Sequence, residues 1–366
     1  MWPDRRLTSL FGIDHPILQA PMAGPCYADM AVAVAEAGGL GALPTATFTP
    51  EQARAELQII RQQTARPINL NFFCHRPPDI DAAREAGWRA RLKPFYEEFG
   101  IDPTAPIPAS NRAPFNDALC QLVEEFRPRV VSFHFGLPDE PLLARVRATG
   151  ARIISSATTV EEALWLEAHG ADAIVAQGAE AGGHRGIFLG NAALDNADPL
   201  DIAGTQAGTM ALVPQVVDAV KVPVIAAGGI ADARGIAAAF ALGAAGVQIG
   251  TAYLFCPEAR ISAPHRAALL SARDNQTALT NIFTGRPARG LVNRIMRELG
   301  PITRDAPAFP TAGGALAPLK AKAEAQGSGD FGALWAGQAA SLGRALPAGD
   351  LTRTLAAEAL ERLHRP

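Results

Sequence analysis

Cysteine is scarce in this sequence: Cys26, Cys74, Cys120 and Cys256 are the only four among 366 residues, and no two form a CxxC pair. Such scatter suits reduced thiols and argues against a disulfide framework or a zinc site, so no metal is expected. An excess of charge is missing too. The formal net charge is −3 without any block of like charges, which supplies no long-range attraction to nucleic acid or to an anionic membrane. No apolar run reaches membrane-spanning length, and the opening MWPDRRLTSLFG lacks the apolar core of a signal peptide. The expectation is a cytoplasmic protein that binds neither nucleic acid nor membrane, present as a monomer or homodimer. GxGxxG is absent after the first apolar run, where QAPMAGPC stands, and this disfavours a Rossmann dinucleotide site.

What the chain does have is repetition of form. Eight short apolar runs occur in order: HPILQAPMAG, GGLGALPT, RPINLNFF, RVVSFHFG, ARIISSAT, DAIVAQG, VPVIAAGG and AGVQIGT. Alanine-rich helical patterns such as ADMAVAVAEAG, VEEALWLEAHG and DARGIAAAFALG separate them. Alternating buried strands and amphipathic helices predict parallel βαβ units, and eight of them are what a closed (β/α)8 barrel needs. A doubly wound open sheet is the rival. The barrel is preferred because nearly every run ends in glycine or a polar residue, and a barrel gathers those ends around one mouth. The fold class expected is therefore α/β, a TIM barrel built from residues 1–73 and 129–256. Residues 74–128 and 257–340 exceed the minimal barrel and are expected to form a mostly helical lid or second domain, while 341–366 reads as a terminal helix packed on the barrel.

The strand ends suggest what the mouth holds. Gly228, Gly229 and Gly250 end the last two runs, where backbone N–H groups at helix starts favour a phosphate, and Thr251 adds a hydroxyl. The same glycines would equally serve as tight turns, with Asp232 as an N-cap. Asn71, Gln177 and Gln248 are neutral amides able to donate and accept, as a flavin ring edge and ribityl chain require. Taken together, a phosphate site and three amides favour flavin mononucleotide, with Pro21, Met22, Ala23 and Gly24 pressing backbone against the ring.

QGAEAGGHRG, from Gln177 to Gly186, places His184 directly behind two glycines. Gly182 and Gly183 permit a close backbone path, so the histidine should project into the mouth, where it could accept a proton or hydrogen-bond an anionic substrate near neutral pH. His134, ending the fourth run, reads as either a substrate contact or a packed histidine. A thiol nucleophile is a weaker candidate, since only Cys74 has a neighbouring histidine, His75. The three arginines of TGRPARGLVNR could face an anionic substrate or the flavin, but read most simply as solvated or loop-fixing groups.

PILQAPMAG, PINLNFFCH, VVSFHFG, QGAEAGGHRG, PVIAAGGIADARG, GAAGVQIGTAYLFCPEA, GRPARGLVNR and LWAGQ together resemble the nitronate monooxygenases, formerly 2-nitropropane dioxygenases, of the bacterial class I type. The resemblance spans nearly the whole chain. It implies FMN contacts from Pro21, Met22, Ala23, Asn71, Gln177, Gly182, Gly229, Gln248, Ile249, Gly250 and Thr251, and gives His184 the place of the active-site histidine. It also implies oxidation of alkyl nitronates of the propionate 3-nitronate type by O2, through a flavosemiquinone, to carbonyl compounds and nitrite. Two alternatives stay open: an FMN-dependent NAD(P)H enoyl-acyl carrier protein reductase, whose histidine loop is similar, and a non-catalytic FMN-binding barrel.

Overall fold

The computed structural model describes residues 1–364 except 109, 111 and 191–198. Six staves come first, β1 (Ile17–Gln19), β2 (Gly41–Pro44), β3 (Ile68–Phe73), β4 (Val130–His134), β5 (Arg152–Ala157) and β6 (Ala173–Gln177). A two-residue strand, β7 (Gly183–His184), then leaves the barrel before β8 (Val224–Ala227) and β9 (Gly246–Ile249) complete it. Each stave lies within one of the eight apolar runs. The sheet order is β1-β9-β8-β6-β5-β4-β3-β2, every pairing parallel. The seam between β2 and β1 is closed by a bridge from Leu18 to Leu40, in which Leu40 N donates to Ile17 O at 3.0 Å and Gln19 N to Leu40 O at 3.0 Å.

These short strands are mainly apolar because both faces of a parallel barrel wall are covered, with polar residues such as Asn71, His134, Gln177 and Gln248 toward their carboxyl ends. Inside, Leu18, Val130, Ile154, Val175 and Ile225 pack with Leu7 and Phe11 of the helix Arg6–Phe11, which plugs the end where the strands begin. Outside, Val247 and Ile249 meet helical residues such as Val34 and Ile236, and Leu351 and Leu355 of the terminal helix Ala348–Leu363. Local signals set the helix starts. Thr49 and Gln52 cap reciprocally, and Asn116, Thr159 and Asp232 each accept backbone N–H groups of the turn that follows. Among the described residues, no helix is long and apolar enough to cross a membrane.

The two surplus segments meet over the mouth. Trp88, Leu92, Phe95 and Tyr96 of the helix Ala82–Glu98 share a core with Leu316 and Leu319 of the helix Gly313–Ala325 and with Ile282, Ile295 and Phe331. The helix Asp117–Phe126, inside the stretch expected to leave the barrel, instead lies on the barrel wall with Leu57, Phe72 and Val131. The lid also contains a small antiparallel sheet: β10 (Thr277–Thr280) pairs with β11 (Ala288–Leu291), and β11 pairs with β7.

Gly41 shows how tightly the wall is built, since a Cβ there would stand 2.0 Å from the carbonyl oxygen of Ala31 in the helix Ala28–Glu36. Gly41→Ala should force that helix off β2 and lower unfolding stability by on the order of 3 kcal/mol. A urea-unfolding midpoint equal to that of the unsubstituted chain would show that the helix can retreat without loss.

Candidate active site

A cavity of about 560 Å³ opens at the carboxyl ends of the staves, within the range of small-molecule sites. Pro21, Met22, Ala23, Asn71, His134, Gln177, Gly182, His184, Gly229, Gln248, Gly250 and Thr251 all line it. Ile249 does not. Side chains alternate along a strand, so with Gln248 turned inward Ile249 points to the helices, fully buried, and its carbonyl already accepts from Ala20 N at 2.8 Å. Among the sequence-expected cofactor contacts, Ile249 is thus corrected to a wall residue.

The loop from Gln177 to Gly186 is tied by its own first side chain. The Gln177 amide donates from Nε2 to His184 O at 2.9 Å and accepts at Oε1 from Gly186 N at 2.8 Å. Arg185, fully buried, donates to the carbonyls of Gln177 and Gly178 at 2.5 and 2.7 Å and to Gln206 Oε1 at 3.0 Å. The two glycines have separate tasks. A Cβ on Gly182 would meet Gly337 N at 2.6 Å, whereas Gly183 takes φ +73°, a left-handed backbone that disfavours other residues. His184 then pairs with Ala288 of β11.

His184 Nε2 shares a hydrogen bond with Thr284 Oγ1 at 2.9 Å. Around the imidazole stand Phe309, Trp335, Phe135 and Phe73, with ring centroids at 5.3, 5.5, 6.1 and 6.2 Å. Burial, then the charge of Arg112, holds its pKa well below the ordinary imidazole value. His134 lies under the same loop, its Nδ1 2.6 Å from Ser156 Oγ, and burial pushes it down to about 3. His75 packs edge-on against Phe309 at 4.8 Å and is lowered to about 4, by burial and then Arg286. All three are neutral near pH 7.

The amides differ in their freedom. Asn71 donates to Ser132 Oγ at 2.9 Å, while the Gln248 amide has no hydrogen-bond partner among the described residues. Gly228 and Gly229 have φ +118° and +69°, and Asp232 does cap its helix, accepting from Arg234 N at 2.9 Å. Glu180, from the same loop, caps the helix Thr209–Ala219 by accepting from Thr209 N and Oγ1, each at 2.8 Å. Burial raises the Cys74 thiol well above its ordinary value and pushes Cys26 and Cys256 up to about 12, which makes these three poor nucleophiles. Thr284, Phe309 and Arg112 were not singled out from sequence. Thr284 and Arg286 lie in the TGRPARG motif, whose chemistry becomes visible only when the lid folds over.

A family model described as Nitronate monooxygenase matches residues 4–358. A relative named nitronate monooxygenase from Pseudomonas aeruginosa is 44% identical over 358 residues, covering 96% of this chain and 98% of that one. A solved structure of nitroalkane oxidase from Streptomyces ansochromogenes superposes with TM-score 0.86 at 40% identity, over 97% of this chain and 98% of its own. FabK from Thermotoga maritima is similar at TM-score 0.71 and 27% identity, with 99% and 97% covered.

Histidines held neutral make folding sensitive to acid. In the unfolded chain each takes up a proton near pH 6.5, whereas folded His75 and His134 do so only near 4 and 3. The unfolded state therefore binds more protons between these values, and stability falls as pH drops through 6.5. From pH 7.5 to 5.5 the loss should be about 1.4 kcal/mol per histidine, read as a lower urea midpoint. His134→Gln should shrink that dependence, and an unchanged dependence would mean that His134 titrates normally.

Proposed function

The chain belongs to the nitronate monooxygenase family of flavin-dependent oxidoreductases, and on that premise we propose that it uses FMN and O2 to oxidise alkyl nitronates, of the propionate 3-nitronate type, to carbonyl compounds and nitrite. The observation that carries this reading is His184: a neutral imidazole, fixed by Thr284 and walled by aromatic rings, at the mouth of a barrel whose rim offers amides and glycines. The residues present fit FMN. Gln248 brings an unpartnered amide to the cavity, and the positive-φ glycines Gly228 and Gly229 bring backbone to its edge without side chains in the way. Pro21, Met22 and Ala23 would lie against the ring, Asn71, Gln177 and Gln248 would meet its polar edges and ribityl chain, and Gly182, Gly229, Gly250 and Thr251 would hold the phosphate end. The bound cofactor would supply the electron acceptor.

The chain's own contribution follows from protonation. A base works best when its pKa lies near the working pH, and His184 is held far below that. It is poorly suited to taking a proton from a neutral nitroalkane. A nitronate arrives already deprotonated, so the imidazole has only to bind and orient the nitro oxygens through a donated hydrogen bond. His134 completes the floor beside it as a substrate contact, and the rings of Phe73, Phe135, Phe309 and Trp335 keep water from the substrate's carbon.

The reductase reading draws on the likeness to FabK, and anaerobic mixing separates the two. Bleaching of the flavin by a nitronate, with little by NADH, supports the oxidase chemistry; rapid bleaching by NADH alone would favour the reductase. His184→Ala should retain FMN yet lower kcat/KM on nitronates by roughly 10²–10³-fold. With a preformed nitronate, the unsubstituted enzyme should show no activity change between pH 6.5 and 8.5 assignable to His184. Unaltered oxygen uptake by His184→Ala on every nitro compound would remove the imidazole from the reaction.

A further inference from the structure

Among the described residues, five charged side chains line the cavity, and four of them are committed. Glu180 caps the helix Thr209–Ala219. Lys320 and Glu324 face one another at 4.0 Å. Arg260 pairs with Asp29 at 3.3 Å and lies 4.0 Å over the ring of Tyr27. Arg112 alone has no carboxylate within ion-pair distance and no hydrogen bond to its guanidinium among the described residues. Burial desolvates its guanidinium with no carboxylate among the described residues to offset the cost, and a cation so placed in a cavity is suited to receive an anion.

The location of Arg112 excludes the cofactor's phosphate as that anion. Phe115, three residues on, is fixed to the end of β3 by Phe115 N donating to Phe73 O at 2.8 Å and by its ring packing at a tilt against Phe72, centroids 4.6 Å apart. Phe73 is itself part of the wall around His184. The positive-φ glycines of the phosphate end follow β8, and Gly250 follows β9. In the closed order of staves, the β8–β9 pair stands across the barrel from the β3–β4 pair. Arg112 therefore belongs to the substrate's side of the mouth.

We propose that Arg112 is a specificity-determining residue, whose guanidinium receives a carboxylate carried by the substrate at the end remote from its nitronate carbon. Guanidinium matches carboxylate through two parallel hydrogen bonds. His184 is occupied with the nitro oxygens, so the second charge of a dianionic nitronate is the one Arg112 is free to take. The inference rests on the nitronate reading for the identity of the substrate, and on the cavity geometry and the proposed seat of the FMN phosphate for the anion site.

The test compares Arg112→Gln and Arg112→Lys with the unsubstituted FMN holoenzyme. With propionate 3-nitronate, Arg112→Gln should raise KM at least about tenfold, while KM for propyl-2-nitronate, which has no carboxylate, changes less than about twofold. Arg112→Lys should recover part of the loss, and flavin content and visible spectrum should match throughout. Separately, propionate titrated into the oxidised holoenzyme should perturb flavin absorbance, with affinity about tenfold weaker in Arg112→Gln. Equal losses on both nitronates, or none on either, would overturn the inference and leave the nitronate reading intact. Propionate binding that depends on Arg112 in a protein that oxidises no nitronate would uphold the anion site and overturn the nitronate reading. Propionate binding that ignores Arg112 would overturn the site.

Discussion

The arrangement at the mouth depends on one side chain, Gln177, which closes a ten-residue loop by bonding both the carbonyl of His184 and the N–H of Gly186. A side-chain amide can satisfy a donor and an acceptor at once, from two atoms of one planar group. Arg185 completes the closure by occupying the carbonyls at the loop's base. Without this clasp, the strand β7 would have no fixed edge to offer β11, and the imidazole would lose its bond to Thr284. Loop and lid thus hold the histidine between them, the barrel supplying its backbone and the lid its hydrogen-bond partner.

That shared custody explains the electrostatics. Three histidines, two arginines and a ring of aromatic side chains crowd the β3–β4 side of the mouth. The cations and the loss of water act in the same direction on each imidazole, keeping it neutral. The opposite side, below β8 and β9, is built from glycine and backbone. One cavity therefore has a positively biased, aromatic half and a half built largely from backbone.

Much of this was legible in the chain. Eight apolar runs became eight staves because strands covered on both faces are mostly apolar, so hydropathy reports them directly. The pair Gly182 and Gly183 was readable as a close backbone path, though not that one glycine serves proximity and the other a left-handed turn. Ile249 was misplaced because a motif matches consecutive residues while a strand turns alternate ones away. The lid was less visible. Its sheet joins β7 to strands about a hundred residues later, and neither alternation nor turn chemistry in two- and four-residue strands announces such a pairing.

By itself the sequence determined the barrel, the loop that carries His184 and the amides at the rim, since each follows from local composition and spacing. Tertiary structure alone decided which way the site is charged. Burial and neighbouring arginines from separate segments set the imidazoles neutral, and Thr284, Phe309 and Arg112 reach His184's surroundings only when both surplus segments fold over the mouth. Protonation and pairing depend on distances between residues far apart in the chain, and no local pattern encodes those.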